Sequence, residues 1–183
     1  MSISHGFVDE SIRPDGWYRL TLVHVSVRDI DMVSRSVRSM VPEARRRIHF
    51  SSEGDSHRRR ILDGMLRLPI RGLTVMAPHS RRSNEDIARR LCIDTMIDEM
   101  DRSIHQLVFD SRGPDRDRSD RRVVHEALLR NRRGTKVMYH HRGSRDEPLL
   151  ALPDAFGWSI GAGGDFARKA ALVVRVVAVG KSN

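Results

Sequence analysis

Residues 6–25 read GFVDESIRPDGWYRLTLVHV and contain two strand-like runs separated by a turn. Residues 6–9 and 17–25 are rich in apolar and β-forming side chains, and Arg13-Pro14-Asp15-Gly16 between them is typical of a chain reversal. The pattern therefore predicts a β-hairpin at the start of the fold, and the first strand of that hairpin carries Asp9.

Strand-like and helical patterns alternate along the next part of the chain. Apolar spacing predicts helices at residues 30–40 and 55–66, with a short strand at 46–50 between them. Residues 70–77 and 104–109 are also strand-like, and they flank a helix that Ser83 would cap, with Asp86 at its third position. This alternation indicates parallel strand pairing within an α/β fold.

The C-terminal part is less regular. Residues 115–120 are polar and arginine-rich, which predicts a connection before a helix at about 121–129, and a strand at 136–140 and a helix at 149–160 follow. Residues 171–179 fit either an edge strand or a helix. The length suits a single domain over residues 1–183, in which the element at 165–183 stays undecided.

Three aspartates stand at the ends of these predicted elements. Asp9 and Asp110 end apolar runs, and Asp154 is at the head of a late helix. Because ligands of α/β sheets collect at the rim where strands end, the three side chains could converge there. Without a cation they would repel by roughly 4 kcal/mol per pair at 4 Å and an effective dielectric near 20. The sequence thus favours a site for Mg²⁺ or Mn²⁺, although the same acids could simply cap turns and helices.

The charge suggests an anionic partner. The formal net charge is +9, and 30 of the 33 basic residues are arginine, the side chain that binds phosphate bidentately and stacks on bases. This composition predicts nucleic acid as a partner, but a solvated, arginine-rich surface explains it equally well.

The apolar segments predict a location in the cytoplasm. Cys92, the only cysteine, lies in a helical apolar pattern and is expected in the core, where it can form no internal disulfide. The longest apolar stretch, residues 170–179, is interrupted by Arg175 and is too short to span a bilayer. We therefore expect a reduced, cytoplasmic protein with no membrane partner.

The order of several short motifs resembles a known family. In chain order they are Val8-Asp9-Glu10-Ser11, Arg47-Ile48-His49-Phe50, Arg58-Arg59-Arg60-Ile61-Leu62, Asp110-Ser111-Arg112, Asp120-Arg121-Arg122, Glu147-Pro148-Leu149-Leu150 and Leu152-Pro153-Asp154. Together they are similar to a bacterial and phage family of unknown function with a ribonuclease H-like fold and an N-terminal Asp-Glu-Ser motif, in particular its actinobacterial branch. The resemblance covers about residues 7–160.

The resemblance implies a ribonuclease H-like mixed sheet with helices on both faces. Asp9 would take the first-strand acid position, Asp110 the acid at the end of a neighbouring parallel strand, and Asp154 the final acid. Glu53 is the candidate for a fourth acidic ligand, with a helix cap as the alternative. Glu10 points to the other face of the strand from Asp9, so it would either support the metal ligands or serve as a turn acid.

Basic residues near these acids are candidates for contact with nucleic acid: Arg47, His49, Arg58, Arg59 and Arg112. The arginine triplets at 45–47 and 58–60 flank His49 and could hold a phosphate backbone, or they could be solvated helix faces. His49 could bind phosphate, relay a proton or serve the structure, and Arg112 could pair with an acid instead.

The leading hypothesis is a metal-dependent phosphodiesterase that acts on RNA or DNA. Asp9, Asp110 and Asp154 would bind Mg²⁺ or Mn²⁺, and arginines would position the strand. The rival hypothesis is a noncatalytic nucleic-acid or protein interaction module on the same fold. The two differ in metal-dependent turnover. The oligomeric state is not predictable from the sequence.

Overall fold

The computed structural model describes residues 3–41, 48–79, 85–132 and 136–179. They build a six-stranded mixed sheet with α-helices on both faces. The strands are β1 (Ser4–Arg13), β2 (Trp17–Ser26), β3 (Ile70–Pro78), β4 (Ile104–Asp110), β5 (Met138–Arg142) and β6 (Val174–Ala178). The helices are α1 (Ile30–Ser39), α2 (Asp55–Met65), α3 (Glu85–Glu99), α4 (Pro114–Arg130), α5 (Ala151–Ala162) and α6 (Gly164–Ala170).

The strand order is β5-β4-β1-β2-β3-β6. β1 and β2 form the hairpin that the sequence predicts, and β3 continues the antiparallel pairing on β2. β4 pairs with β1 in parallel, β5 pairs with β4 in parallel, and β6 pairs with β3 in parallel. Parallel pairing is therefore present on both sides of an antiparallel centre, but β3 and β4, the strands on either side of α3, are separated by β1 and β2.

Alternation along β1 separates two hydrophobic cores. Phe7 belongs to the first core, which α1, α2, α5 and α6 cover. The next residue, Val8, belongs to the second core, which α3 and α4 cover. Successive side chains of a strand point to opposite faces of a sheet, so both cores depend on one register.

Cys92 is fully buried in the second core, as predicted. No helix among the described residues has both the length and the apolarity needed to cross a bilayer.

Two predicted elements are wrong in their described parts. Residues 48 and 49 belong to no strand, and Phe50 begins a short 3-10 helix, because the backbone N–H of Phe50 donates to the Asp154 carboxylate rather than to a neighbouring strand. Residues 115–120 form the first turns of α4 rather than a connection. Pro114 opens this helix, and Asp115 and Asp117 lie at its positive N-terminal end, where acids are stabilised.

The undecided C-terminal element is an edge strand. β6 lies in parallel beside β3, and its residues Val176 and Ala178 pair with Thr74 and Met76. The short helix α6 precedes it and brings the chain across the first core. The predicted cap of α3 at Ser83 falls outside the described residues.

Candidate active site

The register of β1 and β4 brings two of the predicted acids side by side. Val8 pairs with Phe109, and Asp9 and Asp110 follow them on neighbouring strands, which lie about 4.8 Å apart in a sheet. β4 ends at Asp110, whereas β1 continues to Arg13 in the hairpin, so Asp9 is not at the end of its own strand. It lies instead at the level where its parallel neighbour ends.

Asp154 reaches the same place from helix α5. It lies in the first turn of α5, which packs across β1 and β2. Gly157 permits this close approach, because a Cβ atom there would be 2.8 Å from the hydroxyl oxygen of Thr21. The Asp154 carboxylate accepts a hydrogen bond of 2.9 Å from the N–H of Phe50 and lies 3.4 Å from Nδ1 of His49.

A pocket of about 320 Å³ joins these side chains. Asp9, Asp110 and Asp154 all line it, and the apolar side chains of α1 and the segment before α5 form part of its wall. The other polar or charged residues of the lining are Glu10, Arg38, His49, Ser144 and Arg145. The structure thus gathers three acids that are 101 and 44 residues apart in sequence beside a group of cationic residues.

The electrostatics of Asp9 reflect this arrangement. Burial raises the pKa of Asp9 well above its usual range, and the negative charges of Asp154, Asp110 and Glu10 raise it further. The N–H of Glu10, 2.7 Å from the Asp9 carboxylate, opposes the shift in the pKa but does not cancel it. The ionised site is therefore electrostatically unfavourable without a cation, and hard carboxylate oxygens are the ligands that Mg²⁺ and Mn²⁺ prefer.

Sequence reasoning missed Arg38 and Arg145. Arg38 lies in the last turn of α1, and Arg145 lies between β5 and α5; both are exposed and both line the pocket. Within the described part of the chain, neither forms a salt bridge with an acid. The apolar spacing of α1 places Val37 in the core, and Arg38 is the residue that follows it; this was the one sequence signal for the position of Arg38. Nothing in the local sequence distinguishes Arg145.

Glu53 is not in the lining of the pocket. Its side chain is 3% exposed, and its carboxylate lies 2.7 Å from Nδ1 of His57, one turn along the chain. The geometry therefore ties Glu53 to the start of α2, and a role as a fourth ligand would require this contact to change.

Of the residues predicted to contact nucleic acid, some line the pocket and others are paired within the fold. His49 is in the pocket lining with a side chain 52% exposed, whereas Arg47 lies outside the described residues. Arg58 donates to the carbonyls of Phe50 and Ser51 and to Asp55, and it stacks on Trp158, so it supports the segment that holds Asp154. Arg59 is paired with Asp165.

Arg112 is buried on the opposite side of the sheet from Asp9. It donates to Glu85 over 2.9 Å and lies 3.8 Å from Glu10 and from Asp120. With 7% of its side chain exposed, it is placed for ion pairing rather than for contact with a ligand.

The same region contains the tightest group of potential metal ligands among residues 3–41, 48–79, 85–132 and 136–179. Ligand atoms of Asp117, Asp120 and His141 lie within 4.8 Å of one another. Asp120, however, already accepts two hydrogen bonds from Arg89, at 2.8 and 2.6 Å, and a buried guanidinium repels a cation. This group is a buried ion-pair network. Among the described residues, Asp9, Asp110 and Asp154 share one pocket but do not form a group whose ligand atoms all lie within 4.8 Å of one another.

Comparison with known proteins supports the fold. No known family profile matches the chain, and no curated protein matches it either. The chain is similar to a chain in the structure of the PCNA:RNase HII complex from Archaeoglobus fulgidus, with a TM-score of 0.51 and 14% identity over 86% of this chain and 71% of that chain. A mutant of Bst-RNase HIII gives a TM-score of 0.49 and 12% identity over 85% of this chain and 51% of that one.

The likeness to the Archaeoglobus fulgidus structure defines the class of fold. Together with the mixed sheet, it confirms the predicted ribonuclease H-like architecture with helices on both faces. The resemblance to the bacterial and phage family stays a prediction, because no family profile matches.

Proposed function

We propose that the protein is a nuclease that hydrolyses phosphodiester bonds with the help of divalent metal ions. The observation that carries the proposal is the convergence of Asp9, Asp110 and Asp154 on one pocket, where burial and, after it, the charges of the neighbouring acids raise the pKa of Asp9. A carboxyl group that burial and neighbouring charges make unfavourable to ionise lowers the stability of the free protein, and a bound cation would relieve this cost; such groups are typical of functional sites.

The three carboxylates supply the hard oxygen ligands that Mg²⁺ and Mn²⁺ prefer. Asp9 and Asp110 follow the paired residues Val8 and Phe109 on neighbouring strands, and the Asp154 carboxylate accepts a hydrogen bond from the N–H of Phe50. Divalent cations at this position would neutralise charge on the phosphate and activate a water molecule.

Cationic residues beside the acids would position the substrate. Arg38 and Arg145 approach the pocket from α1 and from the segment before α5, and an arginine can donate two parallel hydrogen bonds to a phosphate. His49 lies in the same pocket with Nδ1 3.4 Å from Asp154 and Nε2 3.2 Å from the hydroxyl of Ser51, and it could donate to the phosphate if the contact with Ser51 were exchanged. This combination of acids and cations favours a nuclease over an interaction module, which would not need repelling carboxylates.

Cleavage assays would test the proposal directly. The purified chain would be incubated with single-stranded RNA, single-stranded DNA, duplex DNA and an RNA–DNA hybrid, with Mg²⁺, with Mn²⁺ or with EDTA. We expect cleavage of at least one substrate with metal and none with EDTA, and we expect Asp110→Asn and Asp154→Asn to abolish it. Asp31→Asn, which removes an exposed acid of α1 outside the pocket, is the control and should remain active. Salt-sensitive binding without turnover on all four substrates would favour the interaction module.

Arg145→Gln and Arg38→Gln should weaken substrate binding. We expect each to raise KM about tenfold, because a hydrogen bond to a charged group is lost, while kcat changes little. Steady-state kinetics with the preferred substrate would measure both constants. Arg35→Gln removes the same charge from an exposed position of α1 that is not in the pocket lining, and it should leave KM unchanged. An equal loss in Arg35→Gln would show that only the overall charge matters.

A further inference from the structure

A second cavity lies at the opposite end of β4 and β5 from the acids. It measures about 360 Å³ and is lined by residues at the starts of these strands and at the end of α4. The seven residues of β4 separate the two pockets by about 20 Å at about 3.3 Å per residue. The two cavities are therefore distinct sites on the molecule.

Four basic side chains line this cavity: Arg102, His105, Arg132 and Lys136. All four residues are exposed, and no acid is among the lining residues that the structure describes. Cations that converge on a concave surface raise each other's energy, and a bound anion relieves this repulsion. The cavity therefore gathers positively charged side chains, whereas the acidic pocket, lined by Asp9, Asp110 and Asp154, gathers negatively charged ones.

Neighbouring arginines behave differently. Arg130, two residues before Arg132, donates to Asp94 over 2.5 Å, and Arg90 donates to Glu126 over 3.0 Å. In the described part of the chain, Arg102, Arg132 and Lys136 take part in no salt bridge. Unpaired arginines also occur elsewhere on the described surface, so the distinguishing feature of the cavity is that three such cations share one concavity, beside an Asp98 that accepts a hydrogen bond from Asn131 of the lining.

The backbone of Arg132 adds an independent observation. Its φ is 57°, and among the described residues it is the one non-glycine residue with positive φ. It follows the last residues of α4, a position where glycine is usual because a Cβ atom is strained in the left-handed region. An arginine at this position costs stability, and strain of this kind is characteristic of functional positions.

We propose that this cavity binds phosphate groups of a polyanion, with Arg132, Arg102 and Lys136 as the contacting residues. Arginine supplies paired donors that match phosphate oxygens, and lysine supplies a compact positive charge. The phosphates belong either to a nucleic-acid backbone or to a free polyphosphate. At about 3.4 Å per nucleotide along a duplex, the distance from the acidic pocket corresponds to about six base pairs.

Arg132→Gly should weaken phosphate binding without lowering the stability of the fold. Glycine relieves the strained φ, so the variant should unfold at a temperature equal to or higher than that of the parent. It should nevertheless bind the phosphate ligand about tenfold more weakly, because a charged hydrogen-bond donor is lost. For an oligonucleotide, the slope of log Kobs against log salt concentration should become shallower by about 0.7 to 0.9.

Binding would be measured in EDTA by fluorescence anisotropy with a labelled single-stranded oligonucleotide and by calorimetry with pyrophosphate. The use of EDTA keeps the result independent of the proposed nuclease activity. Lys136→Gln is a second variant with the same expected loss, and Arg35→Gln is the charge-matched control, which should bind as the parent does.

The two probes identify the source of the phosphate. Loss of oligonucleotide binding in both cavity variants supports a nucleic-acid backbone, and loss of pyrophosphate binding alone supports a free polyphosphate. Unchanged binding of both probes in Arg132→Gly and Lys136→Gln would overturn the proposal. So would a loss of the same size in Arg35→Gln, since the effect would then come from overall charge.

Discussion

Asp9→Asn is expected to be more stable than the parent protein in metal-free buffer and to have lost nucleic-acid cleavage. The substitution removes a carboxylate that burial and three neighbouring acids make unfavourable to ionise. We expect a gain of about 1 kcal/mol in the free energy of unfolding, which corresponds to about 2–4 °C in Tm for a chain of this size. The cleavage rate should fall about 10³-fold or more, because one of the proposed metal ligands is removed.

The pH dependence of stability provides a second readout. Because the folded-state pKa of Asp9 is raised, the folded protein binds more protons than the unfolded chain above about pH 4. The stability contributed by protonated Asp9 is therefore lost as pH rises through the folded pKa. Thermal melts of the parent and of Asp9→Asn should converge in acid and separate at neutral pH.

Divalent metal should reverse the order of stability. Mg²⁺ or Mn²⁺ should raise the Tm of the parent by mass action and leave Asp9→Asn nearly unchanged. Asp31→Asn, which removes an exposed acid of α1, should respond to metal as the parent does. A parent protein with no metal-dependent shift, or an active Asp9→Asn variant, would contradict the proposed role of the acidic pocket.

Arg89→Met should destabilise the fold by about 3–5 kcal/mol. Arg89 is 3% exposed, and its guanidinium donates to Asp120, to Glu10 and to the hydroxyl of Tyr18. Its removal leaves Asp120 buried without its main counter-charge. Urea denaturation followed by circular dichroism would measure the change.

Arg90→Met is the matched control for this prediction. Arg90 is the next residue of α3, its side chain is 48% exposed, and it pairs with Glu126 on the surface. A surface ion pair contributes about 0–1 kcal/mol, so Arg90→Met should unfold close to the parent. Similar losses in the two variants would mean that Arg89 acts through helix propensity rather than through the buried network.

The loss in Arg89→Met should depend on pH. Burial acts to raise the pKa of Asp120, but hydrogen bonds from His141 and Arg89, and the charges of Arg89 and Arg112, bring it below its usual range. The stability that this carboxylate contributes is complete above about pH 4 and is lost as pH falls through the folded pKa. The difference between the parent and Arg89→Met should therefore shrink in strong acid.

Local patterns in the sequence determined the elements that frame the site. Pro14-Asp15-Gly16 predicted the hairpin, and the apolar runs that lead to Asp9 and Asp110 predicted the two strands that lie side by side. Such features depend on neighbouring residues, because turn geometry and the period of apolar side chains are properties of short segments. The same logic fails at α4, where the charged residues 115–120 predict a connection although Pro114 and the acids of the first turn favour a helix.

Only the tertiary structure decided which charged side chains line the pocket of Asp9, Asp110 and Asp154 and which support the fold. Arg58 and Arg112 are bound to Asp55 and Glu85, Glu53 is bound to His57, and Arg38 and Arg145 are in the acidic pocket instead. A long charged side chain can reach many partners, and its partner is fixed by elements that meet only when the sheet closes against its helices. The sequence by itself thus determined which elements carry the acids, while packing determined where along the sheet they meet and which cations lie beside them.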